Sequence, residues 1–163
     1  MRVRPAIEEE GGALSAIACA AKAHWGYPAS ALAAWAPDLT ISAESVARHP
    51  TFVCEVEGLL AGFYQLVPGE GACELEHLWV HPAFMRRGVG RELLAHAVDH
   101  ASRSGARYVS IDADPYAEKF YLACGAVRTG AIAAPIEGDP ARTRPQLRIF
   151  TEITPADTSG SVG

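Results

Sequence analysis

The sequence predicts a single mixed α/β (α+β) domain, and three observations support this prediction. The chain has 163 residues, a length at which one hydrophobic core is usual. Its apolar share of 49% and charged share of 20% are typical of globular proteins. Helical and strand-like hydrophobic periods alternate along it. Their order is one strand, several helices, three strands, a helix, a strand, a helix and two final strands.

The first fifty residues predict a strand followed by helices. Val3–Ile7 has strand character, and the alanine-rich segment 9–23 has apolar residues at helical spacing. Gly and Pro then interrupt the helical pattern. A second helix is expected over Ser30–Trp35 with Ser30 as its N-cap, and a further helical turn over Ser42–Arg48.

Three β-rich segments follow and predict an antiparallel meander. They are Thr51–Val56, Leu59–Val67 and Cys73–His81. Glu57-Gly58 separates the first two, and a turn signal at 68–71 separates the second from the third.

The second half of the chain predicts a strand–helix–strand core. The expected elements are a helix, a strand, a short helix and two strands, over Gly90–Ala101, Tyr108–Ile111, Tyr116–Cys124, Ala126–Thr129 and Leu147–Thr151. Such a core requires a right-handed crossover between parallel strands. We therefore expect a mixed, largely antiparallel sheet with helices on both faces. The domain is expected to span 1–154, with 155–163 as a flexible tail.

Charge and hydropathy exclude several classes of protein. The formal net charge of −5 argues against a nucleic-acid partner, because such binding requires neutralisation of phosphates. No apolar run reaches the length of a membrane span, so no membrane partner is expected. The first ten residues pass directly into Glu8–Glu10 without an apolar signal segment, so we expect a cytoplasmic protein.

The cysteines predict neither a metal site nor a redox pair. Cys19, Cys54, Cys73 and Cys124 form no C-x-x-C pair, so no metal is expected. Each has apolar neighbours in the sequence, and we expect four reduced, buried thiols.

An arginine- and glycine-rich loop is the segment most indicative of function. It lies between a strand and a helix and comprises Arg86, Arg87, Gly88, Val89, Gly90 and Arg91. Free backbone N–H groups and the helix dipole favour an anion there, and a diphosphate is the natural occupant. A simple glycine-rich turn is the structural alternative. A Rossmann site is disfavoured because Leu93 stands at the third glycine position, and a P-loop because no Lys follows either glycine.

These residues resemble the coenzyme A pyrophosphate motif of the GNAT acetyltransferase superfamily, Gln/Arg-x-x-Gly-x-Gly/Ala. Met85 departs from it at the Gln/Arg position. The resemblance implies acetyl-CoA as co-substrate, bound by the loop. It also implies that the preceding strand, at Leu78, Trp79 and Val80, binds the pantetheine arm and the acetyl carbonyl through its backbone.

A second motif, over 114–126, is similar to the superfamily's Asn-x-x-Ala-x-x-Phe-Tyr-x-x-x-Gly-Phe. Asp114 stands in place of Asn and Ala126 in place of Phe. The resemblance implies that Asp114, Ala117 and Phe120 contact the coenzyme and that Tyr121 is the general acid. Asp114 has an equally good structural reading as the N-cap of the following helix.

Two glutamates are candidates for the base that accepts the proton of the amine. Glu74 and Glu76 have the same parity as Leu78, so strand alternation predicts all three on one side of the sheet. His77 has the opposite parity and is expected to pack. Glu76 is preferred because it lies nearer the acyl position, although alternating glutamates also occur on solvated strand faces.

The expected function is an acetyl-CoA-dependent N-acetyltransferase that acts by direct attack of a primary amine. The acceptor is a small molecule or an exposed peptide amine. Trp25 and Tyr27 are candidate acceptor contacts, and Arg142 or Arg144 could hold an acceptor carboxylate. The alternative is a non-catalytic acyl-CoA-binding sensor or interaction domain. The resemblance also makes a homodimer possible.

Overall fold

A computed structural model describes residues 1–151. The strands in this part of the chain are β1 (Arg2–Pro5), β2 (Thr51–Val56), β3 (Leu59–Pro68), β4 (Ala72–Val80), β5 (Tyr108–Asp112), β6 (Val127–Ala133) and β7 (Thr143–Phe150). The α-helices are α1 (Gly11–Ala23), α2 (Ala29–Trp35), α3 (Ala43–Arg48), α4 (Val89–Arg103) and α5 (Glu118–Ala123). The predicted tail, 155–163, and the predicted domain end at 154 lie outside the described residues.

The strands form one mixed sheet in the order β1-β2-β3-β4-β5-β7-β6. β4 and β5 pair in parallel, and the other neighbours pair antiparallel. The long α4 connects the two parallel strands, as a strand–helix–strand crossover requires. The predicted meander and the predicted mixed, largely antiparallel sheet are both confirmed.

Two hydrophobic clusters lie on opposite faces of the sheet. The α4 face carries the apolar stripe of α4, including Leu93 and Ala97, together with Tyr121 of α5. The α1 face carries Leu14 and Ile17 of α1, packed on Phe63 of β3. Helices therefore cover both faces, as predicted, and each apolar stripe is buried against the sheet.

Three local predictions are wrong. Helix α2 begins one residue early because Pro28, with its fixed φ of −60°, is its N-cap, and the Ser30 hydroxyl donates to Glu137 instead. Cys19 is exposed because it lies off the buried stripe of α1. Strands β6 and β7 are longer than predicted because Thr129 is the extra residue of a bulge and pairing continues beyond it, from Gly130 with Gln146 to Ala133 with Thr143.

Candidate active site

The parallel strands β4 and β5 separate soon after they meet. Three positions pair, Ala72–Glu74 with Tyr108–Ser110, although β4 continues to Val80 and β5 to Asp112. Beyond Glu74, the side of the β4 backbone that points towards β5 has no strand partner within residues 1–151. A gap therefore opens at the carboxyl ends of the two strands. Its β4 wall offers backbone N–H and C=O groups to a ligand.

A bulge changes the direction of the side chains within β4. Gln65 pairs with His77 but Leu66 pairs with Leu75, so Glu76 is an extra residue in the ladder. Before the bulge Leu75 packs in the α4-face cluster, whereas after it His77 contacts Phe63 of the α1 face.

The prediction that Glu74 shares one side of the sheet with Leu78 is therefore wrong. Leu78 packs in the α4-face cluster, while Glu74 alternates with Cys73 and Leu75 and so points to the α1 face. Glu76, the extra residue of the bulge, is exposed, and it lies close enough to Glu74 and to Asp38, which follows α2, for their negative charges to act on it.

The electrostatics of Glu76 suit a proton acceptor. Partial burial raises its pKa above the ordinary value, and the negative charges of Glu74, Asp38 and Asp112 raise it further. A carboxyl group with a raised pKa is a stronger base when ionised. Glu76 nevertheless remains solvent-exposed, so its proton can pass to water.

His77 is buried and neutral, which agrees with its predicted packing role. Its Nδ1 accepts a hydrogen bond of 3.0 Å from Trp79 Nε1, and its ring lies 5.9 Å from that of Phe63. Burial lowers the pKa of His77 to about 4. Protonation of His77 Nδ1 would remove this acceptor and set two N–H groups against each other.

We expect His77→Gln to weaken the acid sensitivity of folding. The folded state holds His77 neutral down to about pH 4, whereas the unfolded chain protonates it near its ordinary pKa of 6.5. Stability is thus fully present above pH 6.5 and is lost as the pH falls towards 4, at up to about 1.4 kcal/mol per pH unit. Urea unfolding across this range should show a smaller pH dependence in the variant. His24→Gln, at an exposed site, should unfold like the wild type. If the free energy of unfolding changes equally with pH in all three proteins, the account is contradicted.

The predicted anion loop forms an open helix N-terminus. Arg86 and Gly88 have φ values of +63° and +81°, and α4 begins at Val89. The first intrahelical bond runs from Glu92 N–H to Gly88 C=O, which leaves the preceding N–H groups without helical partners. Arg86, Arg87 and Arg91 are exposed beside them. The loop therefore offers both N–H donors and positive charge to an anion.

Phe120 brings the two motifs together. A Cβ on Gly90 would lie 3.3 Å from Phe120 Cζ and 3.6 Å from Val80 Cγ2, so the glycine lets α4 approach both β4 and α5. The ring of Phe120 also contacts Tyr121 edge-on, at 5.2 Å between centroids. The anion loop, the end of β4 and α5 are thus packed at one place.

Tyr121 packs on the α4 face, next to Phe120. It is 7% exposed, and it belongs to the cluster that also holds Leu78 and Val80. Burial raises the pKa of its phenol, and the negative charge of Asp114 raises it further. The hydroxyl therefore keeps its proton at neutral pH and is able to donate it.

Asp114 is the centre of a buried polar cluster that the sequence analysis did not find. It caps the turn before α5 by accepting from Tyr116 N–H at 2.9 Å. It also accepts from Tyr27 Oη at 2.9 and 2.8 Å and from Lys22 Nζ at 2.5 Å. Arg142 lies 3.7 Å from the same carboxylate. We call Lys22, Tyr27, Asp114 and Arg142 the Asp114 cluster. A single lysine at the end of an alanine-rich helix was the available signal.

The Asp114 cluster gathers the candidate acceptor residues at the segment before α5. Tyr27 and Arg142 belong to it directly. Trp25 stacks on Tyr116, with 5.3 Å between ring centroids and 8° between planes. Ala117 is half-buried and ends the turn that Asp114 caps. The acceptor and coenzyme candidates therefore converge on the carboxyl ends of β4 and β5.

A separate groove of about 940 Å³ runs along α4 from Arg91 to Arg103, and its other lining residues are Cys124, Gly125, Ile149 and Phe150. It shares Arg91 with the candidate site and none of the other residues assigned above. Within residues 1–151, no cluster of His, Cys, Asp and Glu could hold a metal ion. In the same part of the chain, no helix is long and apolar enough to cross a membrane.

Three solved structures of acetyltransferases share this architecture. A GNAT N-acetyltransferase from Rhodopseudomonas palustris is 23% identical, with a TM-score of 0.76 and 91% of this chain and 94% of that chain covered. The PaiA N-acetyltransferase of Thermoplasma acidophilum, in complex with coenzyme A, is 16% identical, with a TM-score of 0.71 and coverages of 91% and 98%. A ribosomal-protein-alanine N-acetyltransferase from Brucella melitensis is 19% identical, with a TM-score of 0.65 and coverages of 92% and 99%.

Sequence comparison identifies the family. No curated protein matches the chain at a significant level. The model of the acetyltransferase (GNAT) family matches residues 16–126, which is most of the chain and includes both motifs. The chain belongs to the acetyltransferase (GNAT) family.

Proposed function

We propose that this protein transfers the acetyl group of acetyl-CoA to a primary amine, of a small molecule or of an exposed peptide, by direct attack. The observation that carries the proposal is the gap between β4 and β5, which opens beside the anion loop in a member of this family. The coenzyme A bound by the Thermoplasma neighbour supports the choice of co-substrate.

The coenzyme has a continuous path along this surface. We assign its pyrophosphate to the N–H groups and arginines of the loop 86–91. The pantetheine arm then follows the unpaired edge of β4 at Leu78–Val80 as an additional strand would, with Ala117 and Phe120 of the second motif beside it. This path brings the thioester into the gap.

Two side chains then divide the proton transfers. Acetyl-CoA supplies an activated thioester. Glu76 takes a proton from the amine, directly or through water, so that the nitrogen can attack the carbonyl carbon. Backbone N–H groups near Leu78–Val80 stabilise the negative charge on the carbonyl oxygen. Tyr121 protonates the sulfur as its bond to the carbonyl carbon breaks.

The two faces of the sheet separate these roles. We assign Glu76 to the α1 face, to which Glu74 points, whereas Tyr121 packs in the α4-face cluster. We infer that the amine enters from the α1 face and that the thiol leaves on the other side.

The cytoplasmic location, the homodimer and the 1–154 domain boundary stay predictions.

We expect Glu76→Gln to lower turnover near neutral pH by about 10²–10⁴-fold. An aliphatic amine is largely protonated at pH 7, so removing the base should matter most there. The rate should recover partly as the pH rises and free amine accumulates. A pH–rate profile of kcat/KM, measured by thiol release, is the test. Glu74→Gln is the matched control and should change little. A larger loss of turnover in Glu74→Gln than in Glu76→Gln would assign the base to Glu74. Full turnover in both variants would contradict a carboxylate base.

A further inference from the structure

Arg142 has more hydrogen-bond donors than the protein satisfies. Its side chain is 4% exposed. Nη1 donates to Ala134 C=O at 3.1 Å and Nη2 to Tyr27 Oη at 3.4 Å, while the buried Nε has no partner within residues 1–151. A guanidinium has five N–H donors, and burying them unmatched is costly. The unpartnered Nε–H of Arg142 therefore indicates that an oxygen atom of a ligand accepts a hydrogen bond there.

The charges of the Asp114 cluster point to an anionic ligand. Two cations, Lys22 and Arg142, share the one carboxylate of Asp114, at 2.5 and 3.7 Å. Burial lowers the pKa of Lys22 despite its bond to Asp114, and the positive charges of Arg142 and Arg144 lower it further. One more negative charge would balance the cluster.

Aromatic rings form the walls of this cluster. The ring of Trp35 lies 4.3 Å from Lys22 Nζ and 5.1 Å from Arg142 Cζ, and Tyr27 lies 5.1 and 5.2 Å from the same atoms. These contacts hold both cations in place. Tyr27 also covers the guanidinium, and its long bond of 3.4 Å is the contact that an entering ligand would replace.

The cluster borders the proposed acetyl site. Lys22 Nζ lies 5.9 Å from the ring of Trp79, which stands between Leu78 and Val80 on β4. The Asp114 cluster is also on the α1 face, from which we infer that the amine enters. One side of the acceptor region is thus acidic, at Glu74 and Glu76, and another is cationic, at Arg142 and Lys22.

We propose that Arg142, supported by Lys22, binds a carboxylate of the acceptor, so that the acceptor is a small amino-carboxylate such as an α-amino acid. This inference rests on the proposed function, since it names the substrate class of the same site. The bidentate geometry of a guanidinium matches a carboxylate, and Nε supplies one of the two donors. The amine of such a molecule would face the glutamates while its carboxylate faces Arg142.

Arg144 does not offer the same site, although the sequence made it an equal candidate. Its Nε and Nη2 donate to the two oxygens of Asp112 at 2.9 and 3.0 Å, and its side chain is 40% exposed. Its charge is already paired, so Arg144→Gln is a matched control for Arg142→Gln.

The first experiment compares amino acids with their primary amides as acceptors, by thiol release. We expect kcat/KM to favour the acid at least tenfold, and Arg142→Gln to remove that preference with the KM for acetyl-CoA unchanged. Arg144→Gln should keep the preference. If Arg142→Gln folds poorly, Arg142→Lys replaces it in the comparison and should keep part of the preference. Equal use of acid and amide by the wild type would overturn the inference, as would equal losses in the Arg142 and Arg144 variants.

A second experiment needs no turnover. The N-acetylated amino acid and its amide are titrated calorimetrically into protein saturated with coenzyme A. We expect the acid to bind at least tenfold more tightly, and only while Arg142 is present; equal binding would overturn the inference. Absence of thiol release with every amine would instead refute the proposed function, and the titration would still decide whether the carboxylate site exists.

Discussion

Gly88→Val is expected to weaken acetyl-CoA binding at least tenfold, or about 1.4 kcal/mol. Gly88 is the N-cap of α4 with φ at +81°, a conformation that a β-branched residue adopts only with strain. The variant should shift the loop and misdirect the N–H groups that we assign to the pyrophosphate. Calorimetric titration with acetyl-CoA measures the effect.

The other end of α4 provides the control for this variant. Gly105 has φ at +86° and, like Gly88, open space where a Cβ would stand. Gly105→Val should therefore cost comparable stability but leave acetyl-CoA affinity unchanged. Unaltered affinity in a folded Gly88→Val protein would refute the assignment of the loop.

Tyr121→Phe is expected to reduce turnover by about 10²-fold or more, because it removes the proton donor for the departing thiolate and keeps the ring. Burial and the charge of Asp114 raise the pKa of Tyr121, so the wild-type hydroxyl stays protonated across the neutral range. Acetyl-CoA binding should stay within a few fold, since the packing against Phe120 is retained.

Tyr116 is the matched control within the same segment. It is exposed and stacks on Trp25, and the ring of Tyr116→Phe should preserve that stacking. This variant should turn over at the wild-type rate. If Tyr121→Phe also retains full turnover on a confirmed acceptor, Tyr121 serves packing and the thiolate takes its proton from another source.

Local patterns were sufficient to predict most of the fold. The strand meander, the apolar stripe of α4 and the glycine loop depend on residues close in sequence, and each lies where its pattern places it. Asp114 also caps the turn before α5, as its position before Pro115 indicates.

The candidate site depends on contacts that no local pattern contains. The bulge at Glu76 arises from the pairing of β3 with β4, and a single extra residue reversed the orientation inferred from alternation. The gap likewise depends on where β4 and β5 stop pairing.

The Asp114 cluster also could not be predicted from local patterns, because its members are far apart in the sequence. Lys22 and Asp114 are 92 positions apart in the sequence, so only the tertiary fold reveals their ion pair. The cluster also gives a physical reason for Asp at a position where the superfamily motif has Asn. A carboxylate is favoured there because Lys22 and Arg142 surround it.

The most direct test of the proposed function is detection of the acetylated product. The purified protein is incubated with acetyl-CoA and a panel of amines, amino acids and peptides, while thiol release is followed and the acceptors are examined by mass spectrometry. We predict amine-dependent thiol release with one acetyl group on the amine, and its loss in Tyr121→Phe and Glu76→Gln. Tight binding of acetyl-CoA without thiol release or acetylated acceptor over the whole panel would contradict catalysis and favour an acyl-CoA sensor.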